Sequence, residues 1–221
     1  MTCAIGLLGG TFDPVHFAHL RLAEEALDRL RLGSVRWIPS GQPGHRGAPA
    51  AGVEHRLAML RLAIAGEPRF TLDDADARSA SPTFTINTLT RLRSEIGSGT
   101  PLVLIIGADQ LLALDTWQEW KRLFGLAHIA VAQRPRFELE SGALTGELAR
   151  EYARRAAAPA ELAGAPAGRI VTFGMTALDI SASAIRADIA AGHSPRYLLP
   201  DAVLDYIGSH RLYSTQEIDQ H

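Results

Sequence analysis

Residues 5–20, IGLLGGTFDPVHFAHL, constrain this chain more than any other stretch. An apolar run ends in the pair Gly9-Gly10. A short polar turn follows, and then a helix-like segment carries His16 and His19. The run reads as a buried strand feeding a phosphate-binding turn. Gly9 and Gly10 have no Cβ, so the backbone can turn sharply there and a ligand can approach its N–H groups closely. Asp13 followed by Pro14 predicts a helix start, with a capping side chain and then a residue whose fixed φ suits the first turn. A helix opening there points its unpaired N–H groups and positive dipole end at the strand tip, a natural anion site. His16 and His19, one turn apart, project from the same side of that helix and can donate to phosphate oxygens. Asp13 alone reads as a cap before it reads as a catalyst, and two histidines at this spacing also suit half of a metal site. The sole cysteine, Cys3, lies at the opposite end of the preceding strand, which excludes a cysteine-rich zinc site.

Beyond this stretch, strand and helix patterns alternate. Strands are predicted over 2–8, 35–38, 70–72, 102–106, 129–132 and 170–173. Helices are predicted over 14–32, 53–65, 84–96, 183–191 and 200–210, with two short ones near 110–114 and 116–124 and a peripheral one over 144–157. The assignments rest on hydrophobic spacing and on Gly and Pro as punctuation. Strands alternating with helices indicate an α/β protein with a Rossmann-like, doubly wound parallel sheet and C-terminal helices. At 221 residues the chain suits one domain over 1–221, with 176–221 as a C-terminal helical subregion.

Ligands of such sheets gather at the carboxyl ends of the strands. Those ends carry Gly9-Gly10-Thr11, Pro39-Ser40-Gly41 with His45 and Arg46 beyond, Gly107-Ala108-Asp109, Gln133-Arg134, and residues 176–186. Glycines, an acid, arginines and hydroxyls thus collect on one rim.

Composition excludes several function classes. Lys and Arg number 22 against 24 Asp and Glu, a formal charge of -2. That balance speaks against a nucleic-acid-coating surface or a polybasic membrane patch. Lys121 is the only lysine, so a Walker A phosphate loop cannot be built. One cysteine and no charged-then-apolar leader point to a reducing, cytoplasmic setting. No apolar run approaches the ~20 residues of a membrane span.

A second cluster is ISASAIR, residues 180–186. Serines ahead of an apolar helix serve as caps, but a cap does not require an arginine one turn later. Ser183 at the helix start and Arg186 on its first turn would bring a hydroxyl, N–H groups and a guanidinium to one anion. GGTFDPVHFAH resembles the G-x-F-D-P-x-H-x-G-H signature of the nucleotidyltransferase superfamily, with Ala18 in place of the last glycine. ISASAIR is similar to that superfamily's I-S-S-T-x-I-R motif, which holds the ATP triphosphate.

GADQLLALDTWQEW (107–120), PSGQPGHR, EHRLAMLRLA and RYLLPDAVLDYIGSHRLY (196–213) resemble the nicotinate-nucleotide adenylyltransferases. The likeness spans nearly the whole chain and thins over 138–169. It implies transfer of the adenylyl group of ATP to nicotinate mononucleotide, giving deamido-NAD and pyrophosphate. Magnesium would be bound through the ATP phosphates, with no metal ligands from the chain. The resemblance further implies catalytic roles for His16, His19 and Arg186, and ATP contacts from Gly9, Gly10, Thr11, Phe12, His19, Gly107, Asp109, Ser183 and Arg186. Thr85 and Trp117 would meet the mononucleotide, with Trp117 stacked on the nicotinate ring, and Arg46 and Arg134 would contact the mononucleotide's phosphate or the triphosphate. Asp109 would accept from ribose hydroxyls; by position it also suits a helix cap, as Trp117 also suits core packing.

Arg46 stands where many relatives carry lysine, and Asn87 where an aspartate is common, so Asn87 is given no role. Competing readings are a nicotinamide-mononucleotide-preferring adenylyltransferase and a non-catalytic nucleotide-binding module. A dehydrogenase would need a G-x-G-x-x-G that the first strand lacks. A homo-oligomer is compatible with all of these.

Overall fold

The computed structural model describes residues 3–41, 48–133 and 143–214. The chain runs through β1 (Ile5–Gly10), α1 (Phe17–Leu30), β2 (Ser34–Pro39), α2 (Val53–Ile64), β3 (Phe70–Leu72), α3 (Thr85–Ile96) and β4 (Leu102–Gly107). It continues through α4 (Ala108–Leu112), α5 (Trp120–Leu123), β5 (His128–Gln133), α6 (Gly146–Arg155), β6 (Ile170–Gly174), α7 (Ala182–Ala190) and α8 (Asp201–Ser209). The six strands form one sheet in the order β3-β2-β1-β4-β5-β6, with every pair parallel. The strand order reverses between β1 and β4, and a crevice opens at such a switch point.

The strands are buried on both faces and divide their side chains by strict alternation. Leu8, Trp37, Ile105 and Ala130 pack with α1, α2, α7 and α8 on one face. Leu7, Leu104, Ile106 and Val131 pack with α3, α4, α5 and α6 on the other. Leu8 pairs with Trp37 on one side and with Ile105 on the other, so this register lines up three large side chains across the sheet centre. Burying each such side chain is worth about 1.5–3 kcal/mol, and a one-residue slip would reverse every face. The parallel, doubly wound α/β sheet expected from the sequence is the observed fold. No helix among the described residues is long and apolar enough to cross a membrane.

Several local expectations are corrected. Gly9 and Gly10 do not make the turn; they extend β1 by two residues, with Gly10 in register with Pro39. The helix expected from Pro14 begins at Phe17 instead, after a loop that includes a cis Asp13–Pro14 peptide. Asp13 is therefore no cap, because its carboxylate is drawn to partners outside the helix. Finally, Ser181 and not Ser183 opens α7: its Oγ accepts from the Ala184 N–H at 3.2 Å, which places Ser183 inside the first turn. The region expected as one short helix near 116–124 is divided into a 3-10 turn, Leu114–Thr116, and α5.

Candidate active site

A cleft of about 990 Å³ lies at the carboxyl ends of β1 and β4. Its floor is the tip of β1. Gly9 is exposed there, and a Cβ added to it would meet no atom closer than 3.9 Å, so the missing side chain leaves open wall. Gly10 is different: a Cβ there would lie 2.9 Å from the Phe12 ring, which folds back over the strand end. Phe12 holds a left-handed backbone (φ 50°) and is buried, an arrangement that costs energy and is kept where surrounding packing imposes it. Its ring meets Trp37 at 5.3 Å and the His19 ring edge-on at 5.1 Å. The phenylalanine thus sits beneath the histidine and sets its plane.

His16 occupies the N-cap position of α1 and His19 the third helical residue, with the rings stacked at 3.7 Å. The His16 backbone N–H donates to His19 Nδ1 at 3.3 Å. In the neutral ring this leaves the proton on Nε2, so His19 presents a donor beyond the helix. Burial lowers the His16 pKa to about 4. Burial and then the neighbouring His16 lower that of His19 to about 3. Both rings are uncharged at neutral pH. His16 Nδ1 is buried without a hydrogen-bond partner. A buried polar atom left unpaired in this way is costly unless a ligand meets it.

The opposite wall comes from β4, α4 and the segment after β6. Gly107 opens α4, and a Cβ there would come within 2.5 Å of Asp109 Oδ1, so the carboxylate folds back over the strand end. Ser183 and Arg186 face the cleft from α7. Arg186 Nη1 donates to the Asp13 carbonyl at 2.6 Å and lies 3.9 Å from Asp13 Oδ2. Two motifs 173 residues apart are thereby joined through one side chain.

The cleft collects His16, His19, Gly9, Gly10, Thr11, Phe12, Gly107, Asp109, Ser183 and Arg186. It does not include Thr85 or Trp117. Thr85 begins α3, and half-buried Trp117 packs against the second core, at the junction between the 3-10 turn and α5. Arg46 and Arg134 lie outside the described residues, as does His45. Among the described residues no group of three or more His, Cys, Asp or Glu could hold a metal ion.

Sequence reasoning missed three charged or polar anchors. Asp13 is buried and accepts from the N–H groups of Ala50 (2.7 Å) and Ala51 (3.1 Å) and from the Tyr213 hydroxyl (2.6 Å). Arg56, buried in α2, donates from Nη1 to the carbonyls of Thr11 and Ser40, both at 2.8 Å, and so ties the β1 and β2 ends together. Glu25, buried in α1, accepts from the Thr176 N–H (2.7 Å), its hydroxyl (2.6 Å) and Arg21 (2.8 Å). Burial works to raise its pKa, but the Thr176 and Arg21 donors outweigh it and leave the carboxyl lowered. The available signal was a charge on an apolar helix face: Glu25 beside Ala26 and Leu27, and Arg56 beside Leu57 and Leu60.

Comparison with known proteins places the chain in a family. The family described as cytidylyltransferase-like matches residues 7–188. The chain is 53% identical over 214 residues to a probable nicotinate-nucleotide adenylyltransferase of Dechloromonas aromatica (strain RCB), covering 96% of this chain and 99% of that one. It is 49% identical to the protein of the same name from Laribacter hongkongensis (strain HLHK9), covering 96% of each. In three dimensions it resembles Plasmodium falciparum nicotinic acid mononucleotide adenylyltransferase complexed with NaAD. The TM-score is 0.71 at 16% identity, over 96% of this chain and 97% of that one, a likeness of fold.

Proposed function

The chain belongs to the cytidylyltransferase-like family and, within it, to the nicotinate-nucleotide adenylyltransferases, and from that premise we infer what its cleft does. It transfers the adenylyl group of ATP to nicotinate mononucleotide, giving deamido-NAD and pyrophosphate, a step of NAD biosynthesis. The mononucleotide phosphate oxygen attacks the α-phosphorus of ATP, and the bond to the bridging oxygen of the β-phosphate breaks. The nucleophile is already an anion, so the chain needs no nucleophile or strong base of its own. Its task is in-line placement and neutralisation of charge on the transferring group.

The residue roles follow from that task. His19, its proton held on Nε2, donates to the α-phosphate as charge builds in the transition state. His16 assists at the adjoining phosphates, where its buried, unpaired Nδ1 finds a partner. Arg186 and the first turn of α7, with Ser183, hold the triphosphate. The backbone at Gly9, Gly10, Thr11 and Phe12 lets the nucleotide approach closely, and Gly107 and Asp109 take the adenosine ribose. Thr85 and Trp117, on the α3 and α5 side, would serve the mononucleotide, and Arg46 and Arg134 are assigned to it as well. Magnesium would enter on the triphosphate, as part of the substrate.

The observation that carries this reading is the meeting of Arg186 with the Asp13 turn, which closes one cleft around both histidines. The test supplies magnesium-ATP with nicotinate mononucleotide, or separately with nicotinamide mononucleotide, and follows pyrophosphate. Release with nicotinate mononucleotide is expected to be the faster. Release only with the amide would reassign the substrate, and ATP binding without any release would leave a non-catalytic nucleotide-binding module.

A further inference from the structure

We infer that Tyr213 is a positioning residue for adenylyl transfer: its hydroxyl occupies the Asp13 carboxylate and so leaves Arg186 available to the nucleotide phosphates. The inference rests on the cleft being the ATP site. Asp13 is 4% exposed, and its two oxygens are shared among three donors. Oδ2 takes the Ala50 N–H, and Oδ1 takes the Ala51 N–H and the Tyr213 hydroxyl. Arg186 Nη1 stands 3.9 Å from Oδ2 and donates instead to the Asp13 main-chain carbonyl at 2.6 Å. Its guanidinium is therefore held in a long ion pair with the buried carboxylate, while its hydrogen bond goes to the main chain. Arg56, the other nearby cation, gives its Nη1 to the carbonyls of Thr11 and Ser40.

A buried carboxylate that loses a donor recruits the nearest cation. Here that cation is Arg186, and closing the long Asp13–Arg186 pair into a hydrogen-bonded one would compete directly with the triphosphate. The tyrosine prevents this. It reaches Asp13 because the chain reverses after α8 through left-handed backbone at Arg211 (φ 51°) and Tyr213 (φ 64°). The Leu212 N–H returns to the Ile207 carbonyl at 3.0 Å within the same reversal. The Tyr213 ring is half-buried against the core, so its packing and its hydroxyl are separable by mutation. Burial and the adjacent Asp13 push the phenol pKa well above its ordinary value, which keeps it protonated and donating.

Tyr213→Phe keeps the ring and removes only the donor. Apparent ATP affinity, read both as KM and by calorimetric titration without mononucleotide, should fall roughly tenfold, the scale of a hydrogen bond to a charged group. The change in kcat should be smaller. Two further variants separate positioning from general weakening. In an Arg186→Ala background the Tyr213→Phe effect on ATP affinity should vanish, since no guanidinium remains to be captured. Adding Asp13→Asn to Tyr213→Phe should recover part of the lost affinity, because the competing charge is gone. Wild-type ATP affinity in Tyr213→Phe would overturn the inference. Equal effects with and without Arg186, or a lowered melting temperature as the sole change, would also overturn it. Failure of the functional reading looks different, since the wild-type protein itself would then release no pyrophosphate.

Discussion

Both edges of the sheet hold uncharged histidines, with His128 and His16 buried and His19 half-buried, and they differ in what the ring nitrogens meet. His128 opens β5 at the amino edge and is fully buried. Its Nε2 lies 2.8 Å from the Ala165 carbonyl, and its Nδ1 accepts from the Arg169 N–H at 3.0 Å. His16 and His19 stand at the carboxyl edge, where His19 Nδ1 takes a backbone N–H while His16 Nδ1 has no partner. Burial lowers the pKa at both edges. Burial and a lowered pKa are therefore common to both edges; what distinguishes the carboxyl edge is a ring nitrogen with unmet hydrogen-bonding capacity at the cleft, and the proposed role rests on that difference.

The strongest way to break that contrast is His19→Ala. It should lower kcat by roughly 10²–10³-fold, the loss seen when one transition-state donor is removed. Thermal melting should change little, and a variant that kept its turnover would remove His19 from the role. Arg186→Ala should raise the ATP KM by roughly 10- to 100-fold through the loss of charge-assisted bonds. Steady-state kinetics with varied ATP decide that, and an unchanged ATP requirement would end the triphosphate assignment.

The amino edge should respond the opposite way. His128→Leu strands the Ala165 carbonyl and the Arg169 N–H, at about 1–3 kcal/mol for a buried unpaired group. Urea unfolding should register that loss while kcat at 25 °C stays near wild type.

Acid sharpens the contrast further. All three rings have folded pKa values below the 6.5 of a free imidazole, so the unfolded chain binds protons that the folded chain refuses. The stability they contribute is complete above that pH and is lost as pH falls from 6.5 towards about 4 for His16 and about 3 for His19. Melting temperature should therefore drop between pH 7 and pH 5, less steeply in His128→Leu, and a flat profile would contradict the assignment. The smallest effect is expected from Glu25→Gln, where one amide oxygen must serve both Thr176 donors. The ATP KM should rise by roughly threefold, because the segment leading to α7 loses one charge-assisted bond.

Much of this architecture was legible without coordinates. The six strands appear where apolar runs stop at Gly, Pro or polar residues, and β3 was placed to the residue. Gly9, Gly10, His16, His19 and Arg186 were named from two short motifs, and Gly107 from the segment 107–120. Two of the misreadings, the Asp13 cap and the start of α1, share one cause. Asp13 carries a strong capping propensity, yet its oxygens go to Ala50, Ala51 and Tyr213. A local preference worth about 1 kcal/mol gave way to several hydrogen bonds in a buried site. The same competition moved the α1 start from Pro14 to Phe17.

What the sequence by itself determined was the order of strands and helices along the chain and the two motifs that meet at the cleft, because hydrophobic period and glycine placement act within a few residues. What only the tertiary structure decided was which distant groups share a bond. Glu25 meets Thr176, Arg56 meets Thr11 and Ser40, and Asp13 gathers partners 37, 38 and 200 positions away. Such contacts leave no local pattern, since they form only when the packed sheet brings the ends of separate strands to one edge.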